Sequence, residues 1–368
     1  RRRRRRTEDD PAVAMTETRR LNKAAYIQWD TEGVMEFKVG VTRDLITASG
    51  QPAFNAAAFD ELKANSAIGW EWLPERVSEI TPDIAARYDG LHVSQPRVTA
   101  ASVARPDCRL KIVARNGVGY DSVDVGACTT KGIAVTNTPL AVRRPVAVAT
   151  LTLLFALAGR LFQKDQLVRT GRWNERNEHM GLGLTSRTIG LVGVGGIGRE
   201  IMALARPFFR HVIAADPHVE PVIVEAAGGR PVSLMDVMVH SDFVVVCCLL
   251  NEETHHLIDT RMLAAMKPSA FLINVARGPI VDEKALIAHL QAGRIAGAGL
   301  DVAEQEPVAR DNPLLSMANV IMTPHALCWT DECFEDIART ALRSIVDVSL
   351  GRRPQHLVDP SVWKGEGA

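Results

Sequence analysis

The segment Gly190-Leu-Val-Gly193-Val194-Gly195-Gly196-Ile197-Gly198-Arg199 limits what this chain can fold into more than any other. An apolar run over 188–194 reads as a strand, and apolar residues at helical spacing over 201–209 read as the helix that follows. A second strand is expected over 211–215, and it ends in Asp216, 18 residues beyond Gly198. Glycines at this spacing are a weak signal alone. Between a strand and a helix, with an acidic residue closing the next strand, they form the Rossmann dinucleotide-binding fingerprint. Gly193 permits the tight turn, Gly195 lets the backbone approach a pyrophosphate, and Gly198 lets the helix pack on the strand. Phosphates would then lie at the positive helix end, against Gly195, Gly196 and Ile197. Asp216 would accept hydrogen bonds from the ribose hydroxyls and repel a 2′-phosphate, which predicts NAD rather than NADP as cofactor.

A length of 368 residues is enough for about two domains, each with its own core. Lysine plus arginine and aspartate plus glutamate both total 43, so net charge favours neither a nucleic-acid nor a membrane partner. The six cysteines form no C-x-x-C pair and no zinc-type spacing. Reduced thiols in a cytoplasmic protein without a bound metal are the simplest account. The longest apolar segment, 146–159, has the length of a buried helix and falls short of the roughly 18 residues that a membrane span needs.

Residues 1–34 carry six arginines and no sustained apolar periodicity, and read as a disordered extension. The arginine run is taken as a tag or translated upstream sequence rather than a nucleic-acid or lipid-binding tract. No apolar stretch of signal-peptide type follows it. Globular patterning begins at Met35. Strands at 37–41, 90–93 and 110–114 alternate with helical patterns, which indicates a parallel α/β unit upstream of the glycine motif. A long helix over 146–162, with Pro145 in its first turn, leads into the nucleotide unit. Strands at 243–248, 271–276, 298–302 and 320–323 continue that unit, and an amphipathic helix over 330–350 is expected to return to the first domain. The fold class is α/β, with two doubly wound parallel-sheet domains. A Rossmann NAD domain (141–324) is inserted into a flavodoxin-like substrate domain (35–140 and 325–368).

Three polar residues follow successive strands of the nucleotide sheet, where ligands of open α/β sheets bind: Arg277, Glu306 and His325. Singly each reads as an ordinary loop residue. Together they match what hydride transfer to a 2-keto acid requires. A histidine beside a carboxylate can hold a proton for the developing alkoxide, since a neighbouring negative charge favours the imidazolium. An arginine can grip the substrate carboxylate with two donors and polarise the ketone. Backbone amides of Gly117, Val118 and Gly119 could hold the carboxylate from the first domain, and Asn116 beside them is read as a substrate contact. Ala276 and Asp301 would meet the nicotinamide end of the cofactor.

The chain resembles the D-isomer-specific 2-hydroxyacid dehydrogenases from about Met35 to Pro360. The resemblance rests on Gly117-Val-Gly-Tyr-Asp121, Asn137-Thr138-Pro139, the glycine fingerprint, and Met266-Lys-Pro-Ser-Ala-Phe-Leu-Ile-Asn-Val-Ala-Arg277-Gly278. It continues in Leu300-Asp301-Val302, Glu306-Pro307 and Thr323-Pro324-His325, all in the family's order. It implies a catalytic Arg277, Glu306 and His325, NAD(H) as hydride carrier, a small 2-keto or D-2-hydroxy acid as substrate, and a homodimer. Glu306 stands where the family's formate dehydrogenases carry glutamine, which favours a 2-keto or 2-hydroxy acid substrate; glyoxylate, hydroxypyruvate and pyruvate all fit, and no residue selects among them.

Some positions depart from the family pattern. Val148-Ala149 replaces a frequent Glu and His, 245–251 lacks a common His and Pro, and Ala326-Leu327-Cys328-Trp329 is bulkier than usual. Ser94 would face the substrate side chain. Trp329 reads equally as a pocket wall or as a core residue. The resemblance also admits a second class, an NAD-sensing corepressor-like protein without catalysis, which retains the same three residues.

Overall fold

The computed structural model describes residues 37–363, so the expected extension over 1–34 lies outside the described residues. The first sheet contains β1 (Phe37–Val41), β2 (Ile68–Trp72), β3 (Gly90–Val93), β4 (Ile112–Arg115) and β5 (Ala134–Thr136). Its order is β2-β1-β3-β4-β5, parallel throughout. Short helices α1 (Asp60–Lys63), α2 (Pro82–Arg87) and α3 (Val125–Thr130) make its crossovers. This is the flavodoxin-like order.

Two helices then lead away: α4 (Pro139–Gly159) and α5 (Leu161–Arg169). The second sheet holds β6 (Thr188–Val192), β7 (His211–Ala215), β8 (Arg230–Pro231), β9 (Phe243–Val246), β10 (Phe271–Asn274), β11 (Gly297–Leu300) and β12 (Val320–Met322). The order β12-β11-β10-β9-β6-β7-β8, again all parallel, has the Rossmann reversal at β6. Its helices are α6 (Gly196–Ala205), α7 (Pro221–Ala226), α8 (Leu234–His240), α9 (Thr260–Ala265) and α10 (Glu283–Gln291). The chain closes with α11 (Asp331–Ser349).

Alternation of side chains along each strand explains why both sheets are covered on both faces. In β9, Phe243 and Val245 pack with Leu153, Leu154 and Ile201 on one side, while Val244 and Val246 pack with Leu263, Leu286 and Ile258 on the other. In β4, Ile112 and Ala114 face one core and Val113 the opposite one. The stripe Phe334, Ala338, Ala341, Leu342 and Ile345 on α11 follows the helical repeat and buries against Val39, Ile112 and Ala114. The last helix therefore completes the first sheet, as its sequence distance from the Rossmann strands indicates.

The long helix differs from its expected bounds. It starts at Pro139, seven residues early, so Pro145 lies inside the helix and Pro139 occupies the first turn. Pro139 suits the first turn, where no N–H is needed from it, although Thr138 at the N-cap makes no side-chain capping bond. It ends where Arg160 turns left-handed, φ 50°, and a new helix begins at Leu161. At 21 residues α4 is long and apolar enough to cross a membrane by composition. However, 56% of its apolar window is buried within the fold, against α6, β10 and β11. The element α7 and the edge strand β8 carry too few periodic residues to be legible beforehand.

Candidate active site

The glycine motif turns sharply between β6 and α6. Gly193 has φ +105°, and a Cβ there would lie 2.6 Å from the Cys248 amide nitrogen. A side chain on Gly198 would run into the Gly193 carbonyl oxygen, whereas a Cβ on Gly195 would meet nothing within 4 Å. The tight turn, the close packing and the open approach thus fall on separate glycines. The N–H groups of Gly195, Gly196 and Ile197 donate to no acceptor among the described residues. Asp216, at the end of β7, accepts from the Val194 amide at 2.8 Å and the His218 amide at 3.0 Å. A cradle of undonated amides with a carboxylate at its rim suits a dinucleotide.

His325 follows β12 with φ 55°, a left-handed conformation uncommon for a side-chain-bearing residue. Such backbone persists only where the surroundings hold it, and it is frequent at functional sites. Here Asp301, only 5% exposed at the end of β11, supplies the hold. Its Oδ1 accepts from Thr323 Oγ1 at 2.6 Å and from the amides of Ala326 and Leu327, both at 3.1 Å. The loop is pinned on both sides of His325, and His325 Nδ1 reaches Glu306 Oε2 at 2.9 Å. Glu306 Oε1 accepts from the Ala303 amide at 3.1 Å. Burial pushes the Glu306 carboxyl up, but the hydrogen bond and charge of His325, the Ala303 amide and the Arg277 charge outweigh it. The carboxyl stands below its ordinary 4.5.

Arg277 leaves the end of β10 through a turn fixed by Asn274, which receives the Ala276 amide at 3.0 Å and donates to the Arg277 carbonyl at 2.9 Å. Its Nε donates to Asp121 Oδ1 of the first domain at 3.0 Å, and Nη1 donates to the Ala276 carbonyl at 2.7 Å. Its remaining terminal nitrogen occupies the space that a side chain on Gly119 would take. The loop 117–119 is held from behind: Asn137 donates to the Val118 carbonyl at 2.8 Å, and the Thr138 amide to the Gly117 carbonyl at 3.0 Å. Its own three N–H groups meet no acceptor among the described residues.

Arg115, at the end of β4, backs the same loop, with Nη1 donating to the Asn116 carbonyl oxygen. Burial, then the charge of Arg277, presses its guanidinium down to about 10. Two guanidinium groups and three free amides on one loop make a site for an anion. Burial pushes the Asp121 carboxyl up, yet the charge and hydrogen bond of Arg277 hold it below its ordinary range. Among the described residues no group of three or more His, Cys, Asp or Glu side chains is arranged around a metal ion.

The sequence profile of the NAD binding domain of D-isomer specific 2-hydroxyacid dehydrogenase matches residues 151–326. A glyoxylate reductase of Korarchaeum cryptofilum is 38% identical over 259 residues, 70% of this chain and 78% of the relative. The chain belongs to the D-isomer-specific 2-hydroxyacid dehydrogenase family. Glyoxylate/hydroxypyruvate reductase B of Shigella boydii is 37% identical, over 76% of this chain and 87% of the relative. The crystal structure of a Thermus thermophilus protein superposes with a TM-score of 0.76 at 32% identity, covering 88% of this chain and all of that one. As a member of this dehydrogenase family, the chain is an NAD-binding oxidoreductase with two parallel α/β domains.

The remaining positions of this dehydrogenase fall unevenly. Asn116 does not fit its expected place on the substrate: its side chain turns inward to the buried His92, whose Nε2 lies 3.0 Å from Asn116 Oδ1, and its amide donates to the Val93 carbonyl at 2.7 Å as β4 runs out beside β3. Ser94, partly buried, donates its amide to Thr42 Oγ1 at 3.3 Å. Trp329 is 52% exposed and packs on Phe334, with ring centroids 4.7 Å apart, so it is not a core tryptophan. Sequence reasoning passed over Asp121 as a site residue and Arg115 as a second cation. Asp121 closes the Gly117-Val-Gly-Tyr-Asp121 motif, a signal that could have found it. Arg115 carried none, because only the turn after β4 aims it at the loop.

Proposed function

We propose that this protein reduces a small 2-keto acid of the glyoxylate or hydroxypyruvate type to its D-2-hydroxy acid with NADH. The observation that carries the reading is the His325–Glu306 pair, 2.9 Å apart, together with an Arg277 whose guanidinium lies against Gly119 in the loop 117–119. When bound, NADH supplies the hydride. The undonated amides of Gly195, Gly196 and Ile197 would hold the dinucleotide phosphates, Asp216 the adenosine ribose, and Ala276 and Asp301 the nicotinamide side.

Arg277 and the amides of 117–119 bind the substrate carboxylate, and the guanidinium polarises the C2 carbonyl. Glu306 engages Nδ1 of His325, which leaves Nε2 as the nitrogen that gives its proton to the carbonyl oxygen as C2 is reduced. Glu306 remains ionised and orients and stabilises the imidazolium. Asp121 positions Arg277, and Asp301 positions His325. Ser94 and Trp329 are the positions proposed to meet the substrate side chain.

A homodimer fits the apolar surface on and beyond α4, where Val148, Phe155, Leu161, Phe162, Val168 and Trp173 are exposed. A cytoplasmic location fits the six unpaired cysteines. The experiment that tests the function follows NADH absorbance with glyoxylate, hydroxypyruvate, pyruvate, 2-ketobutyrate, phenylpyruvate and 3-phosphohydroxypyruvate. Turnover of one or two acids at roughly 10⁴ M⁻¹s⁻¹ or more is expected. Tight NADH binding with no turnover of any acid would reject the reading and favour a cofactor sensor.

A further inference from the structure

The glycine motif of this chain carries no cation directed at the phosphate cradle. Gly196, the first residue of α6, has no side chain, and Arg199 turns back to the Gly195 carbonyl oxygen at 3.4 Å. A cation reaches the cradle from another element. Arg143 lies on α4, one turn into that helix, and α4 packs along α6. An ideal Cβ on Gly196 would stand 3.0 Å from Arg143 Nε, 3.4 Å from Nη2 and 3.5 Å from Cζ. The guanidinium therefore occupies the place that a side chain at 196 would fill, against the first turn of α6.

Its chemistry there is unfinished. Arg143 Nε is buried and has no hydrogen-bond partner. The adjacent Arg144 pairs with Glu200 at 2.9 Å, but no carboxylate pairs with Arg143 among the described residues. A guanidinium at a helix N-terminus faces the positive end of the helix dipole and undonated N–H groups, an arrangement that is unfavourable without an anion between them. A buried donor without an acceptor is likewise costly. Both are relieved by the same ligand, a phosphate group at the start of α6.

We infer that Arg143 is a cofactor-phosphate ligand, which brings from α4 a cation to a cradle at which the glycine motif itself directs none. The dinucleotide is then held by two elements, the α6 N-terminus and the helix that enters the nucleotide domain. Gly196 has a specific role in this arrangement: it leaves room for a guanidinium delivered from outside the motif.

The test is equilibrium binding rather than turnover. NADH, ADP and adenosine are titrated calorimetrically into the full chain and into Arg143→Gln, at several salt concentrations. NADH and ADP are expected to weaken about tenfold in Arg143→Gln, with a shallower salt dependence, and adenosine to bind as before. The double variant Arg143→Gln, Gly196→Arg returns a guanidinium to the same space and should recover most of the loss. Without ligand, Arg143→Gln should melt no lower than the parent protein, because it removes an uncompensated cation. Unchanged NADH affinity overturns the inference, as does an equal loss for adenosine, which would mark Arg143 as a support of the fold.

Discussion

His325 Nδ1 and Glu306 Oε2 stand 2.9 Å apart across two loops that leave neighbouring parallel strands, β12 and β11. Neither side chain is deeply buried, each being 41% exposed, so the pair is open to substrate and solvent. Its strength comes from the frame around it: Asp301 fixes one loop and the Ala303 amide fixes the carboxylate. Removing the imidazole should therefore cost chemistry and little else. His325→Ala is expected to lower kcat for keto-acid reduction by about 10²–10⁴. Calorimetric NADH affinity should stay within about twofold, and unchanged turnover would remove His325 from the mechanism.

Glu306 should give this enzyme a flat acid side. Its carboxyl is held below 4.5, so it is ionised above that value, and its pairing with His325 is lost only as pH falls through the lowered value. The kcat profile of reduction should then carry no acid limb from Glu306 at pH 5 and above. Glu306→Gln removes the carboxylate that orients the imidazole through Nδ1, and kcat should fall about tenfold or more across the profile. Superimposable profiles for the two proteins would show that Glu306 does not act through the proton donor.

Gly119 and Arg277 meet across the two domains with no space between them, since any Cβ at 119 collides with the guanidinium. Gly119→Ala should displace Arg277 and raise the substrate KM at least tenfold, with NADH affinity unchanged. Arg277→Lys keeps the charge but loses the planar fork, and kcat/KM should fall about a hundredfold or more. A Gly119→Ala enzyme with parental KM would dissociate Arg277 from the carboxylate.

Asp216, proposed to read the ribose, ties down the Val194 amide. Asp216→Ala should weaken NADH and narrow the preference over NADPH, which parallel fluorescence titrations would measure. If the preference is retained, another residue reads the ribose.

His92 makes the first domain sensitive to acid. It is fully buried beside Asn116, and burial drives its imidazole down to about 4 from an ordinary 6.5. The unfolded chain thus binds a proton that the folded chain refuses between those values, so stability falls as pH drops from 6.5 towards 4. The loss amounts to about 3 kcal/mol at the lower limit. Urea midpoints of parent and His92→Gln across this window should converge as pH falls; parallel curves would show that His92 is not the group responsible.

Much of this molecule was legible in one dimension because its signals are local. The turn at Gly193, the helix start at Gly196, the carboxylate at Asp216 and the period-2 strands are set by backbone sterics and side-chain alternation within a few residues. The stripe on α11 likewise announced a helix that must find a sheet, and its distance from the Rossmann strands pointed to the first one. The start of α4 was misplaced because a proline inside an apolar run marks a helix start as readily as an interior position, and only packing against α6 distinguishes the two. Arg277, Glu306 and His325 could be nominated from sequence, yet their geometry depends on partners far along the chain: Asp121 for Arg277, and Asp301 and Ala303 for the other two. Arg115 and Asp121 meet Arg277 only once the two sheets are assembled, and Arg143 meets Gly196 only once α4 packs on α6. A charge declares its sign in the sequence, whereas the group it faces, and whether that group is buried, is decided by the contacts of the folded chain.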